Sequence, residues 1–233
     1  MMKRLIALLA GSLCLSLAGI MLGCEHSPAP RPREQDEPRA SGHPRRELRE
    51  RGSPGAFDYY VLALSWSPEF CHGHPERAEC TSGHFGFVVH GLWPQYANGY
   101  PENCSSEPGL ANPASMTDIM PDDGLVAHEW ATHGTCSGLD PEAYFKLVRQ
   151  ALESVTIPAQ LAAPHRMFSL TPQELKEDLV AANPRLKDED LVVSCGNNWL
   201  TGVSVCLDKN LQPRACEALR DCRANSIKVA AVR

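Results

Sequence analysis

Several familiar catalytic signatures are missing from this 233-residue chain. There is no CxxC pair, so a zinc site built on close thiolates has no frame. There is no G-x-S-x-G elbow to present a serine nucleophile. His128-Glu129 opens like the HExxH helix of zinc proteases, but the position where that pattern needs its second histidine is Thr132. His133 lies one step too far around the helix, which excludes that metal geometry. No internal repeat is visible. Net positive charge is also lacking: from Asp58 to Arg233 there are 13 Lys+Arg against 22 Asp+Glu, a net of −9 with histidine neutral. A polyanion cannot be gripped there by broad electrostatic capture, so any nucleic acid must be held by a local patch.

The chain's one long apolar run, Leu5–Leu22, follows Lys3 and Arg4 and precedes a small residue. Residues 1–23 therefore read as a secretory signal, short for a membrane span. Met21-Leu22-Gly23-Cys24 is close to a bacterial lipobox, with Met21 where leucine is usual. Lipidation at Cys24 would anchor the protein to the outer membrane; ordinary cleavage would free it into the periplasm or medium. Setting aside Cys14 and Cys24 leaves eight cysteines, an even set that can pair fully in an oxidising compartment.

Residues 24–57 are rich in Pro, Arg and Glu, with almost nothing apolar before Phe57. Seven arginines and six acidic residues nearly cancel there. Such a segment buries too little surface to fold and reads as an extended spacer. Residues 58–233 form one domain of ordinary size.

Within that domain Tyr59–Trp66 predicts a buried strand, followed by a loop closed by Cys71 and Cys80. Phe85–His90 predicts a second strand that ends at Pro94, which would put His90 where strand meets loop. Gly124–His133 has helical character, with Glu129 and His133 four apart on one face. Asp140 with Pro141, and Thr171 with Pro172 and Glu174, mark the starts of two further helices. Leu191–Cys195 and Gly202–Leu207 read as strands around a Gly196-Asn197-Asn198 turn. The irregular succession predicts an α+β domain with a central antiparallel sheet, packed helices and disulfide staples.

What remains is metal-free acid–base chemistry by His90 and His133. RNA cleavage suits it, because the substrate carries its own nucleophile, the ribose 2′-OH. His26, His43, His72, His74, His84 and His165 read as ordinary surface or core residues.

Two segments carry a family likeness: Phe87-Val88-Val89-His90-Gly91-Leu92-Trp93-Pro94, and His128-Glu129-Trp130 with His133-Gly134-Thr135-Cys136. Leu62–Trp66 and Phe70-Cys71 fit as well. Over Asp58–Cys222 the chain resembles the ribonuclease T2 family of metal-independent endoribonucleases. The resemblance implies His133 as general base, His90 as general acid, and His128 on the phosphate. Glu129 would polarise the phosphate or position the charged groups around it. Trp93 would belong to a base-binding site, with Tyr96 or Tyr100 as stacking partners. It further implies the pairs Cys71–Cys80, Cys104–Cys136, Cys195–Cys222 and Cys206–Cys216. No cofactor or metal is implied, and the partner is single-stranded RNA bound by a monomer that needs no obligate protein partner. One departure stands out: the family's lysine before the final histidine is Thr132 here. Thr132 could donate a neutral hydrogen bond, or Lys146 or Arg166 could reach in. The competing expectation is a weakly active or inactive RNA-binding envelope protein on the same scaffold.

Overall fold

Why does this sequence build a mixed sheet-and-helix core? A computed structural model describes residues 52–217 and 219–233. The expected signal segment, Cys24 and the spacer as far as Arg51 lie outside the described residues. β1 (Tyr59–Trp66) alternates faces: Tyr60, Leu62, Leu64 and Trp66 enter the main core, while Tyr59 and Val61 join a small second cluster on the other face. α1 (Ser67–Gly73) and α2 (Ala78–Ser82) fill the segment closed by Cys71–Cys80, which the sequence had suggested as loop. β2 (Phe87–Gln95), α3 (Asp123–Thr132), α4 (Pro141–Glu153), α5 (Ala159–Ala162), β3 (Phe168–Leu170), α6 (Pro172–Ala182), β4 (Leu191–Gly196), β5 (Trp199–Leu207) and β6 (Ile227–Val229) follow.

The sheet runs β2-β1-β5-β6-β3, with β4 paired to β5. Every pairing is antiparallel except the short contact between β5 and β6. The short strands β3 and β6 carry too few residues to show a period. The β4–β5 hairpin turns through Asn197 and Asn198, both at positive φ (49° and 62°), the conformation a two-residue turn of matching twist requires. β5 therefore starts at Trp199, three residues earlier than its hydrophobic pattern suggests.

Helix starts follow local chemistry. Asp122 accepts from Gly124 N and Leu125 N to cap α3, and Asp140 accepts from Ala143 N to cap α4. Thr171 and Glu174 form a reciprocal capping box on α6. α3, α4 and α6 cover one face of the sheet through Val126, Trp130, Tyr144, Val148, Leu175 and Leu179.

Two details fix the site. β2 is an edge strand, so Pro94 sits inside it without breaking a shared ladder, and the strand continues to Gln95. His90 is thus not at a strand end. It is the extra residue of a bulge: Ala63 pairs with Gly91 and Leu64 with Val89, leaving His90 unmatched. A bulge re-aims a side chain while keeping it on a rigid support. The end of the expected spacer is also part of the fold. Gly55 N donates to Cys136 O (2.9 Å), and Phe57 is buried against Tyr60.

The four disulfides pair as the family likeness implies. Cys104–Cys136 spans 32 residues and ties the loop after β2 to the turn that follows α3. Asn103 N donates to Thr132 O (2.8 Å) and Cys104 N to Thr135 Oγ1 (3.2 Å) beside it. Replacing both cysteines with alanine should cost about 3–4 kcal/mol for a loop of this length. Chemical denaturation reads that loss. Activity should fall more than in the Cys206→Ala/Cys216→Ala double variant, whose bridge ties β5 to the segment after it.

Candidate active site

Two elements, β2 and α3, meet at this site. The bulge on β2 presents His90, the middle of α3 presents Glu129, and the last turn of α3 presents His133. The helix is held against β2 by large side chains. Trp130 is buried, donates to Glu107 O (2.7 Å) and packs against Tyr144. Tyr144, from α4, is also buried and donates its hydroxyl to Leu92 O (2.9 Å) on β2. His133 terminates α3 with its N–H on Glu129 O (3.0 Å), so its position is set by the helix itself.

Glu129 is 1 % exposed, whereas the His90 side chain is 45 % exposed. The carboxylate is sealed and the imidazole is open to a substrate. Trp93 Nε1 donates to Glu129 Oε2 (2.7 Å), and Glu129 Oε1 lies 3.6 Å from His90 Nε2. His90 Nδ1 bonds Ser65 Oγ (3.1 Å) on β1. Trp93 stands between the histidines, 5.5 Å from the His90 ring and 5.3 Å from the His133 ring. Gly91 makes this approach feasible. A Cβ there would lie 2.0 Å from Glu129 Oε2 and 2.3 Å from Trp93 Nε1, so only glycine fits.

Burial dominates the electrostatics. It pushes the Glu129 carboxyl up to about 7, against the pull of the Trp93 N–H. It pulls His133 down to about 4, helped by repulsion from His128 and His90. His90 is lowered by burial and by His128. His133 Nδ1 is buried with no hydrogen-bond partner, a poor place for a second ring proton. The site thus holds an imidazole in its proton-accepting form well into acid.

The expected residues do not all stand equally close. His128 is exposed on α3, one residue before Glu129. Thr132 is half-buried, and its carbonyl accepts from Asn103. Trp93 has its N–H committed to Glu129. Tyr100, rather than Tyr96, faces the His133 ring (6.1 Å); Tyr96 packs against the main core. Lys146 is on α4 and Arg166 precedes β3. Sequence reasoning passed over Ser65, although its place on the face opposite Leu64 and Trp66 is a period-2 signal. Among the described residues no three His, Cys, Asp or Glu side chains converge as a metal site requires.

A family model matches residues 57–216, the stretch that contains every one of these groups. The chain belongs to the Ribonuclease T2 family. Its relatives include a ribonuclease from Aeromonas hydrophila, 40% identical over 125 residues, covering 52% of this chain and 57% of that protein. A probable ribonuclease from Haemophilus influenzae is 31% identical over 180 residues, 69% of this chain and 61% of that protein. The chain spans less than two thirds of the length of either. Among solved structures, an RNase-related protein from Calystegia sepium superposes with a TM-score of 0.60 at 24% identity, over 73% of this chain and 96% of that one. RNase NT in complex with 5′-AMP gives 0.56 at 25% identity, over 75% and 98%. The Ribonuclease T2 fold accounts for the mixed architecture with its four disulfides.

Two outcomes follow from the sealed carboxylate. Gly91→Ala should lower kcat at least tenfold in a folded protein, read by steady-state kinetics beside circular dichroism. Glu129 has a folded-state pKa above its unfolded one, so it binds more protons folded than unfolded between pH 4.5 and about 7. Its contribution to stability is complete at low pH and is lost as pH rises through about 7. Glu129→Gln should therefore raise Tm relative to wild type more at pH 8 than at pH 4.5; an equal difference at both would disprove the elevated pKa.

Proposed function

We propose that this protein is a metal-independent endoribonuclease that cleaves single-stranded RNA by transphosphorylation. The observation that carries this reading is the placing of His90 and His133 on either side of Trp93, with His90 against a sealed Glu129, one imidazole open to solvent and the other held neutral into acid. The ribonucleases among its relatives, and the 5′-AMP bound by RNase NT, support the same substrate class.

In this reading His133 takes the proton of the ribose 2′-OH, and the oxygen attacks the adjacent phosphorus. His90 protonates the departing 5′-oxygen, which leaves a 2′,3′-cyclic phosphate. Hydrolysis to the 3′-phosphate reverses the roles, with His90 taking a proton from water and His133 protonating the 2′-oxygen. Glu129, with Oε1 3.6 Å from His90 Nε2, positions the imidazole for that transfer. His128 meets the phosphate from the exposed side of α3. Thr132 supplies a hydroxyl where the family has lysine. Trp93 and Tyr100 border the base, and stacking makes base preference broad.

The protein would work outside the cytoplasm. Residues 1–23 would export it, Cys24 would carry a lipid anchor to the outer membrane, and residues 24–51 would space the domain from that surface. Four disulfides suit such a compartment.

RNA should be cut in EDTA to cyclic-phosphate ends, and all-deoxy strands should survive. A base with pKa about 4 and an acid below the usual 6.5 place both limbs of the pH profile on the acid side of neutrality. Activity should rise as pH climbs through 4 and decline before 7. His133→Ala or His90→Ala should lose at least a thousandfold. Near-normal rate in either variant, or an optimum above pH 8, would refute the roles. Thr132→Lys should raise kcat by about 10–100-fold if the missing donor limits the rate.

A further inference from the structure

His90, as general acid, lies beside the leaving 5′-oxygen, so everything on the 3′ side of the cut departs past it. The sheet face there is open and is not lined with core residues. Ser65 on β1 alternates with buried Leu64 and Trp66; Trp199 and Thr201 on β5 flank buried Leu200; Lys228 on β6 sits between buried Ile227 and Val229. Ser65 pairs with Gly202, next to Thr201, and Trp199 pairs with Lys228. A diagonal row thus crosses four strands from His90 to Lys228, about 14 Å across the strands at the usual spacing and a further three residues along β5.

Two hollows follow this row. The first, about 320 Å³, joins Ser65 and Thr201 to α1, where the Phe70 and His74 rings stack at 4.4 Å and 14°. Ser65 is the residue that bonds His90 Nδ1, so this hollow begins at the acid. The second, about 540 Å³, lies beyond a ridge of Glu69 and His72 that borders both. Trp199, Met167 and Arg233 line it, and Met167 is 56 % exposed. Lys228 Nζ stands 5.3 Å from the Trp199 ring centre. An aromatic wall, a neighbouring ammonium and a volume fit for a small ligand form a nucleotide-sized site. Glu69 is the opposing carboxylate.

We infer that the second hollow is a distal subsite for single-stranded RNA, holding a nucleotide 3′ to the leaving one. Trp199 stacks its base, and Lys228 with Arg233 meets its phosphates. The ribonuclease reading above is its foundation. It explains how so acidic a domain holds a polyanion: affinity comes from stacking along one track, with few cations needed.

The test uses the intact protein and oligonucleotides with one ribonucleotide in an otherwise deoxy chain, so that only one bond can be cut. Deoxynucleotides are added singly on the 3′ side or the 5′ side. The inference expects kcat/KM to rise about tenfold when the second and third 3′ nucleotides are added, chiefly through KM, and to change little with 5′ additions. Trp199→Ala should abolish the 3′ increment, and Lys228→Ala should reduce it. Each increment is a ratio of long to short substrate within one variant, so a partly misfolded sample lowers both and leaves the ratio readable. No 3′ increment, a 5′ increment of equal size, or an increment kept in Trp199→Ala overturns the subsite while the ribonuclease reading stands. No cutting of any substrate by wild type overturns both.

Discussion

The arrangement of this molecule depends on a carboxyl group that water cannot reach. Glu129 is buried on α3 and is satisfied by Trp93 from β2, with His90 at its other oxygen. A buried carboxyl is costly unless it is neutral or well paired. Its neighbours are therefore constrained: Gly91 must lack a Cβ, His90 must occupy a bulge, and Trp93 must turn its N–H inward. Trp130, Tyr144 and the Cys104–Cys136 bridge hold the helix at the distance that allows this. The same dryness that raises the Glu129 carboxyl lowers the His133 imidazole.

Much of this was legible in the chain, and the reasons are local. β1 and α4 declare themselves by period and by caps; Asp140 and Thr171 do what their side chains predict. The histidine segments are long enough to point to chemistry before any coordinates. What stayed hidden depends on tertiary pairing. Pro94 reads as a strand stop, yet it lies within β2 because that strand is at the sheet edge. The bulge at His90 exists only in the register between β1 and β2. Ser65 looks like a polar residue in an apolar run until the fold places it on His90. Tyr100 reaches His133 through the loop that the Cys104–Cys136 bridge restrains, and no spacing along the chain announces that contact.

The acidic surface and the acid-tuned site belong together. With 22 acidic side chains against 13 basic ones in residues 58–233, long-range attraction of RNA is weak at neutral pH. Lower pH adds positive charge to histidines and removes negative charge from carboxylates. In the proposed reaction, substrate capture and the chemistry of His133 would then favour the same acidic range, without a lysine at position 132.

The most direct test of the central claim is a pH titration of the His133 ring by NMR, assigned by comparison with His133→Ala. If burial beside Trp93 and repulsion from His128 and His90 set the chemistry, the ring protonates near pH 4, well below an ordinary histidine. A midpoint near 6.5 would contradict the account, because His133 would then be a solvated residue and not a base held ready in acid.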